Sequence, residues 1–131
     1  MEKLRATTAF YNVQNMDRAV RFYTEILEMP LKVRFGNNWA EVDAGSISIG
    51  LHPTEDEAPV ASEEGGATVS FAVPNLESFA AQLTSKGVQV GQIRTPPRGK
   101  FMMVKDSEGN YLHFIEFSDE WKKENSYKAG V

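Results

Sequence analysis

The chain has 131 residues, 41% hydrophobic and 24% charged, the balance expected of one soluble globular domain. It has no cysteine, which excludes a disulfide framework, a thiolate nucleophile and a zinc–cysteine site. The net charge is −4 without clustered Lys or Arg, which argues against a nucleic-acid surface, and no apolar run reaches the length of a membrane span. The opening MEKLRATTAF has no apolar signal core, so the expectation is a cytoplasmic protein.

The first element is a strand beginning at Thr8 in TAFYNVQNMD, which runs into a helix N-terminus at Asn15. An Asn side chain accepts from an otherwise unpaired helical N–H, and Asp17 follows in the first turn, where the helix dipole favours an acid. Met16, Ala19, Val20, Tyr23, Ile26 and Leu27 fall on one helical face, and Pro30 is the expected stop. Three strands are then predicted, Leu31–Phe35, Trp39–Asp43 and Ser46–His52, divided by turns at Gly36-Asn37-Asn38 and Ala44-Gly45.

Residues 53–66, PTEDEAPVASEEGG, read as an acidic linker holding Glu55, Asp56, Glu57, Glu63 and Glu64 and no base. Beyond it the pattern starts again: TVSFAVPNLE, from Thr68, repeats the first strand and cap at a constant offset of 60 residues. Asn75 caps, Glu77 follows, Leu76, Phe79, Ala80 and Leu83 share a face, and Gly87 ends the helix. Strands are predicted at Val88–Thr95, Phe101–Lys105 and Tyr111–Phe117, with turns at Pro96-Pro97-Arg98-Gly99 and Glu108-Gly109-Asn110. Asp106 and Glu108 are expected to hydrogen-bond locally around Gly109. The tail 118–131 reads as a short surface helix anchored by Trp121, followed by disorder.

The chain is therefore βαβββ twice, module one at about 4–52 and module two at about 67–117, read as halves of one domain spanning 1–131. With NMDRAVRFYTEILEMPL after the first strand and DSEGNYLHFIEF at the end, it resembles the glyoxalase/bleomycin-resistance/dioxygenase group, the vicinal oxygen chelate superfamily. The resemblance runs from about Leu4 to Phe117. It implies an α+β fold in which a mixed sheet curls around a cup, and homodimers.

Residues two apart on a strand share a face. Val69, Phe71 and Val73, Ile47, Ile49 and Leu51, and Leu112 and Phe114 should pack on the helices. Thr8, Phe10, Asn12, Ser48, Gly50, His52, Thr68, Ser70, Ala72, Tyr111, His113 and Ile115 then face the cup, a small and polar lining suited to a ligand. Of Met102 and Met103 only one can do so; Met102 is placed in the lining. Arg94, Arg98 and Lys100 flank the Pro96-Pro97 loop and could hold an anion, although a solvated basic loop is the plainer reading. Trp39 could stack on a ligand or pack within the sheet.

The metal-dependent members of the group that the chain resembles place ligands on the first and last strand of each module. Position by position these fall on Thr8, Gly50, Thr68 and His113, where only His113 is a competent donor. A set improvised from His52, His113 and Glu41 or Asp43 is conceivable, but the repeat gives no reason for it to assemble. No metal and no cofactor are expected. His113 is the best catalytic candidate, as an acid–base or hydrogen-bonding group; the plain alternative is a wall histidine satisfied by Thr8, Thr68, Tyr111 or water. His52, before Pro53 at a strand end, reads as a rim residue.

No G-x-S-x-G elbow or Gly-rich phosphate loop is present. The expectation is a protein that binds an unidentified small molecule, in the manner of the antibiotic-sequestering members of the group. The rival is a lyase, isomerase or dioxygenase of glyoxalase type, using an unusual metal set or metal-free chemistry at His113. An interaction module built on the acidic linker has only composition behind it.

Overall fold

The sequence repeat is a repeat of structure. The computed structural model describes residues 1–54 and 67–125, and the chain divides into two compact units, 1–60 and 61–131. The acidic stretch 55–66 and the end of the tail, 126–131, lie outside the described residues. No helix among the described residues is long and apolar enough to cross a membrane.

The first unit runs β1 (Thr8–Val13), α1 (Met16–Arg21), a π-helical continuation (Phe22–Ile26), β2 (Leu31–Phe35), β3 (Trp39–Asp43) and β4 (Ser48–Pro53). Its sheet has the order β1-β4-β3-β2, with β1 parallel to β4 and the other pairs antiparallel. The second runs β5 (Ser70–Ala72), α2 (Leu76–Ser85), β6 (Gly99–Lys105), β7 (Tyr111–Phe117) and α3 (Asp119–Glu124). Its sheet has the order β5-β7-β6, with β5 parallel to β7. Both units are α+β, each with its first strand paired to its last.

The helix starts follow the local chemistry. Asn15 Oδ1 accepts from Arg18 N at 2.9 Å, and Asn75 Oδ1 from Ser78 N at 2.8 Å. The acids after the caps also play matching parts. Asp17 pairs with Arg34 of β2, and Glu77 with Lys100 of β6 at 3.0 Å, so that each holds its helix start to a later strand of its own unit. Both carboxyls are held below their ordinary pKa, chiefly by these hydrogen bonds. α2 ends at Gly87, φ +83°, where Val88 N reaches Leu83 O and Gly87 N reaches Thr84 O, both at 3.0 Å. Glycine fits the left-handed turn that this cap needs.

The first helix departs from the expected single face. Beyond Arg21 the winding loosens, Leu27 N donates to Phe22 O, and Phe22 and Tyr23 are both buried, while Ile26 and Leu27 are half-buried. A π turn advances fewer degrees per residue, so the buried stripe moves onto Phe22. The helix also ends before Pro30, through Glu28 at φ +57°.

Two strand expectations need correction. Ser46 and Ile47 stay in the turn, because Asp43 Oδ1 takes Gly45 N at 2.8 Å and Ala44 N bonds Ile47 O at 3.0 Å; β4 starts at Ser48. Val88–Thr95 is not a strand. It touches β6 through two isolated bridges, Val90 to Val104 and Arg94 to Phe101, whose spacings differ by one residue. The irregularity falls at Gly91, where an added Cβ would lie 2.7 Å from Met103 O, and Pro96 and Pro97 then remove two donors. Leu31–Phe35 has the same kind of register shift, between Leu31 and Val33, but keeps its ladder.

In the second unit Phe114 carries the core: it stacks on Phe71 at 5.2 Å and packs against Phe79 of α2 at 4.7 Å. Leu76, Leu83, Met102, Val104 and Leu112 are buried. The turn before β7 behaves as expected. Asp106 Oδ1 accepts from Glu108 N and Asn110 N, both at 2.8 Å, and Asp106 Oδ2 from Asn110 Nδ2 at 3.2 Å. Asp106 is only 6% exposed, so the carboxylate has exchanged water for these donors. Asp106→Ala should therefore cost about 1–3 kcal/mol of stability, seen as a lower denaturant midpoint with an unchanged slope. An unchanged midpoint would mean that the carboxylate does not hold this turn.

Candidate functional site

The parallel register determines which side chains stand together. Ser70 lies opposite His113 in the second unit, as Phe10 lies opposite Gly50 in the first. On β6, Met103 lies opposite His113 and Phe101 opposite Ile115. Ser70, His113, Met103, Phe101 and Ile115 line a cleft of about 720 Å³ in the second unit, together with Thr68, Arg94, Arg98, Phe117 and Trp121. The volume is of the size that small-molecule clefts have, roughly 300–1,000 Å³.

His113 is the cleft's central polar group. Its Nδ1 shares a hydrogen bond of 2.6 Å with Ser70 Oγ, and Phe101 stacks on its ring at 5.0 Å. Ser70, from the expected lining, is thus its partner, in place of the hydroxyls first considered. Burial is the main cause that lowers the His113 pKa, and the charge of Arg98 adds to it. The imidazole is accordingly neutral near pH 7 and can donate or accept.

Met102 requires correction. It faces the Phe114 side with no exposure, and Met103 is the methionine of the cleft. The pair is adjacent on one strand, so only the antiparallel pairing with β7 could assign their faces. Arg94 and Arg98 also reach the cleft, whereas Lys100 is taken by Glu77. Phe101, Phe117 and Trp121 were not anticipated as lining; Trp121 is brought there by α3, stacked on Phe117 at 3.9 Å. Tyr111 is half-buried, with Lys105 Nζ 5.3 Å above its ring.

The first unit gathers a different set. Phe10, Trp39 and His52 pack ring to ring, with centroids 5.7–6.3 Å apart. Trp39 Nε1 donates to Glu41 Oε2 at 3.0 Å, and the indole covers Gly50, where a Cβ would lie 2.4 Å from its ring. Ser48 is buried and accepts from Lys32 Nζ at 2.7 Å, so its hydroxyl is already engaged. Thr8 and Asn12 are half-buried on β1, and His52 is exposed at its strand end.

The divalent ion that the resemblance implies does not fit these residues. At the four corresponding positions there are two neutral hydroxyls, a glycine under an indole and one imidazole, so they supply a single competent donor. Among the described residues no three His, Cys, Asp or Glu side chains are grouped to hold a metal.

Arg98→Ala should raise the His113 pKa, because the guanidinium disfavours the imidazolium; burial, the larger cause, should still keep it below the ordinary value. NMR titration of the ring protons, assigned with His113→Gln, reads the shift. A fall, or no change, would mean that Arg98 does not direct its charge at His113.

Comparison with known proteins places this geometry in a wider group. No curated protein sequence matches the chain. Among solved structures, a glyoxalase family protein from Bacillus anthracis superposes with a TM-score of 0.76 at 18% identity, covering 90% of this chain and 98% of that one. TnmS3, an antibiotic binding protein from Streptomyces sp. CB03234, gives 0.72 at 19% identity, covering 90% and 99%. A lactoylglutathione lyase from Agrobacterium tumefaciens gives 0.67 at 12% identity, covering 88% and 96%. At these identities the shared property is the fold, and it includes both a binder and an enzyme. The sequence itself matches a family model over residues 5–114, and on that match the chain belongs to the glyoxalase/bleomycin resistance protein/dioxygenase superfamily.

Proposed function

We propose that the protein binds a small amphipathic molecule in the cleft of the second unit and removes it from solution; TnmS3, of the same fold, is named as an antibiotic binding protein. The observation that carries this reading is the cleft itself. It combines a floor of Phe101, Met103 and Ile115 with the polar pair Ser70 and His113. Apolar surface supplies affinity there, and the few fixed polar groups supply orientation. The poor set of donors at the metal positions favours binding over metal-dependent turnover in this chain.

His113→Ala should weaken binding roughly tenfold to a hundredfold, the equivalent of about 1–3 kcal/mol, because a ligand atom would lose its buried partner. His52→Ala should have a much smaller effect, since water replaces contacts at an exposed strand end. Calorimetric titration of the best hit from a thermal-shift screen, with both variants melting near the parent, compares the two. Loss of binding in His52→Ala alone would refute the cleft as the site.

The same reading includes a homodimer. Phe10 and Phe35, each 62% exposed, and Leu31, 47% exposed, sit on the edge strands β1 and β2 of the first sheet. Exposed apolar edges of this kind are commonly covered by a second copy. Light scattering should give twice the chain mass at micromolar concentration; a folded monomer at every concentration would remove this part of the reading.

A further inference from the structure

The charges around the cleft are unbalanced. The chain as a whole is acidic, yet among the described residues those lining the cleft include two arginines and no Asp or Glu. Among the described residues, no ion pair engages Arg94 or Arg98. The neighbouring Lys100, by contrast, is neutralised by Glu77 at 3.0 Å, and Arg34 of the first unit by Asp17.

The backbone beneath both arginines is held. Arg94 exchanges both ladder bonds with Phe101 at 2.9 Å, and Arg98 O accepts from Ser118 N at 2.9 Å. Between them the turn closes with Gly99 N on Pro96 O at 3.0 Å. Only glycine fits position 99, at φ +150° with a Cβ that would meet Glu116 O at 2.2 Å. The two guanidiniums thus rise from fixed points on either side of the Pro96-Pro97 turn. The field of Arg98 acts within the cleft, since its charge adds to burial in disfavouring protonation of His113.

We propose that the ligand is an organic acid with a flat apolar body: Arg94 and Arg98 hold its anionic head, and Phe101, Met103 and Trp121 take its body. This rests on the cleft being the binding site. A guanidinium offers paired donors in one plane, matched to carboxylate, sulfonate or phosphate, and an aromatic floor accepts a flat body against its face. A neutral ligand of the same shape gains only the floor, and a cationic one is repelled.

The test titrates the full chain with 2-naphthoate, 2-naphthamide and 2-naphthylmethylamine, probes that share a body and differ in charge. Binding is followed by calorimetry and by the His113 ring resonances. The acid should bind roughly tenfold tighter than the amide, with the amine weakest, and its advantage should shrink with salt. Arg94→Gln/Arg98→Gln should bring the acid to the amide's affinity without changing the melting temperature. If the amide equals the acid, or the acid keeps its advantage in the double variant, the charge assignment is wrong. If the amide binds and Phe101→Ala abolishes it, the cleft stands and only the anionic head is refuted. If none of the three probes moves the His113 resonances, both the inference and the cleft reading fail.

Discussion

Everything at the candidate site depends on one pairing, repeated in each unit: the first strand lies parallel to the last. Parallel neighbours need a crossover between them, and here the helix and the intervening strands supply it. The register of that pairing then decides which residues look away from the helix. Ser70 opposite His113 makes their hydrogen bond possible, and Phe10 opposite Gly50 creates the seat for Trp39. A slip of one residue would turn His113 toward the α2 side and Phe114 into the cleft.

The two faces of the second sheet divide the labour sharply. Phe71, Phe114, Met102 and Val104 form an apolar layer on which Phe79 of α2 packs through Phe114. Because that layer and the helix caps hold the unit together, the opposite face is free to carry groups that contribute less to stability: an imidazole kept neutral, two exposed guanidiniums and an aromatic surface. Burial on one side thus underwrites polarity on the other. The Asp106 turn belongs to the same scheme, since it sets where β7 begins and hence which residues alternate along it.

What could be read from the sequence was whatever local chemistry decides. Asn15 and Asn75 cap because of their own side chains, Gly87 ends α2 because of its φ, and Leu112 and Phe114 reveal the faces of β7 by alternation. The harder features are settled by distant partners. The bulge at Gly91 arises from the approach of Met103 O, and the choice between Met102 and Met103 from pairing with β7. Arg94 and Arg98 looked like a solvated loop because their approach to the cleft depends on bonds to Phe101 and Ser118. The π-helical winding at Phe22 has no local signal that hydrophobic spacing could capture. Ser70 is expected among the lining, but its bond to His113 required knowing which strand lay beside it.

Trp39 lying over Gly50 has a consequence for how this chain can change. A glycine codon lies one base away from an aspartate or a glutamate codon, so gaining an acidic side chain there is genetically simple. Sterically it is not, because the first added carbon would enter the space of the indole. Placing a carboxylate at position 50 would need a change at position 39 as well, and a change at 39 alone would strip Phe10 and His52 of their packing partner. The tryptophan therefore locks position 50 as glycine: the two positions can change only together.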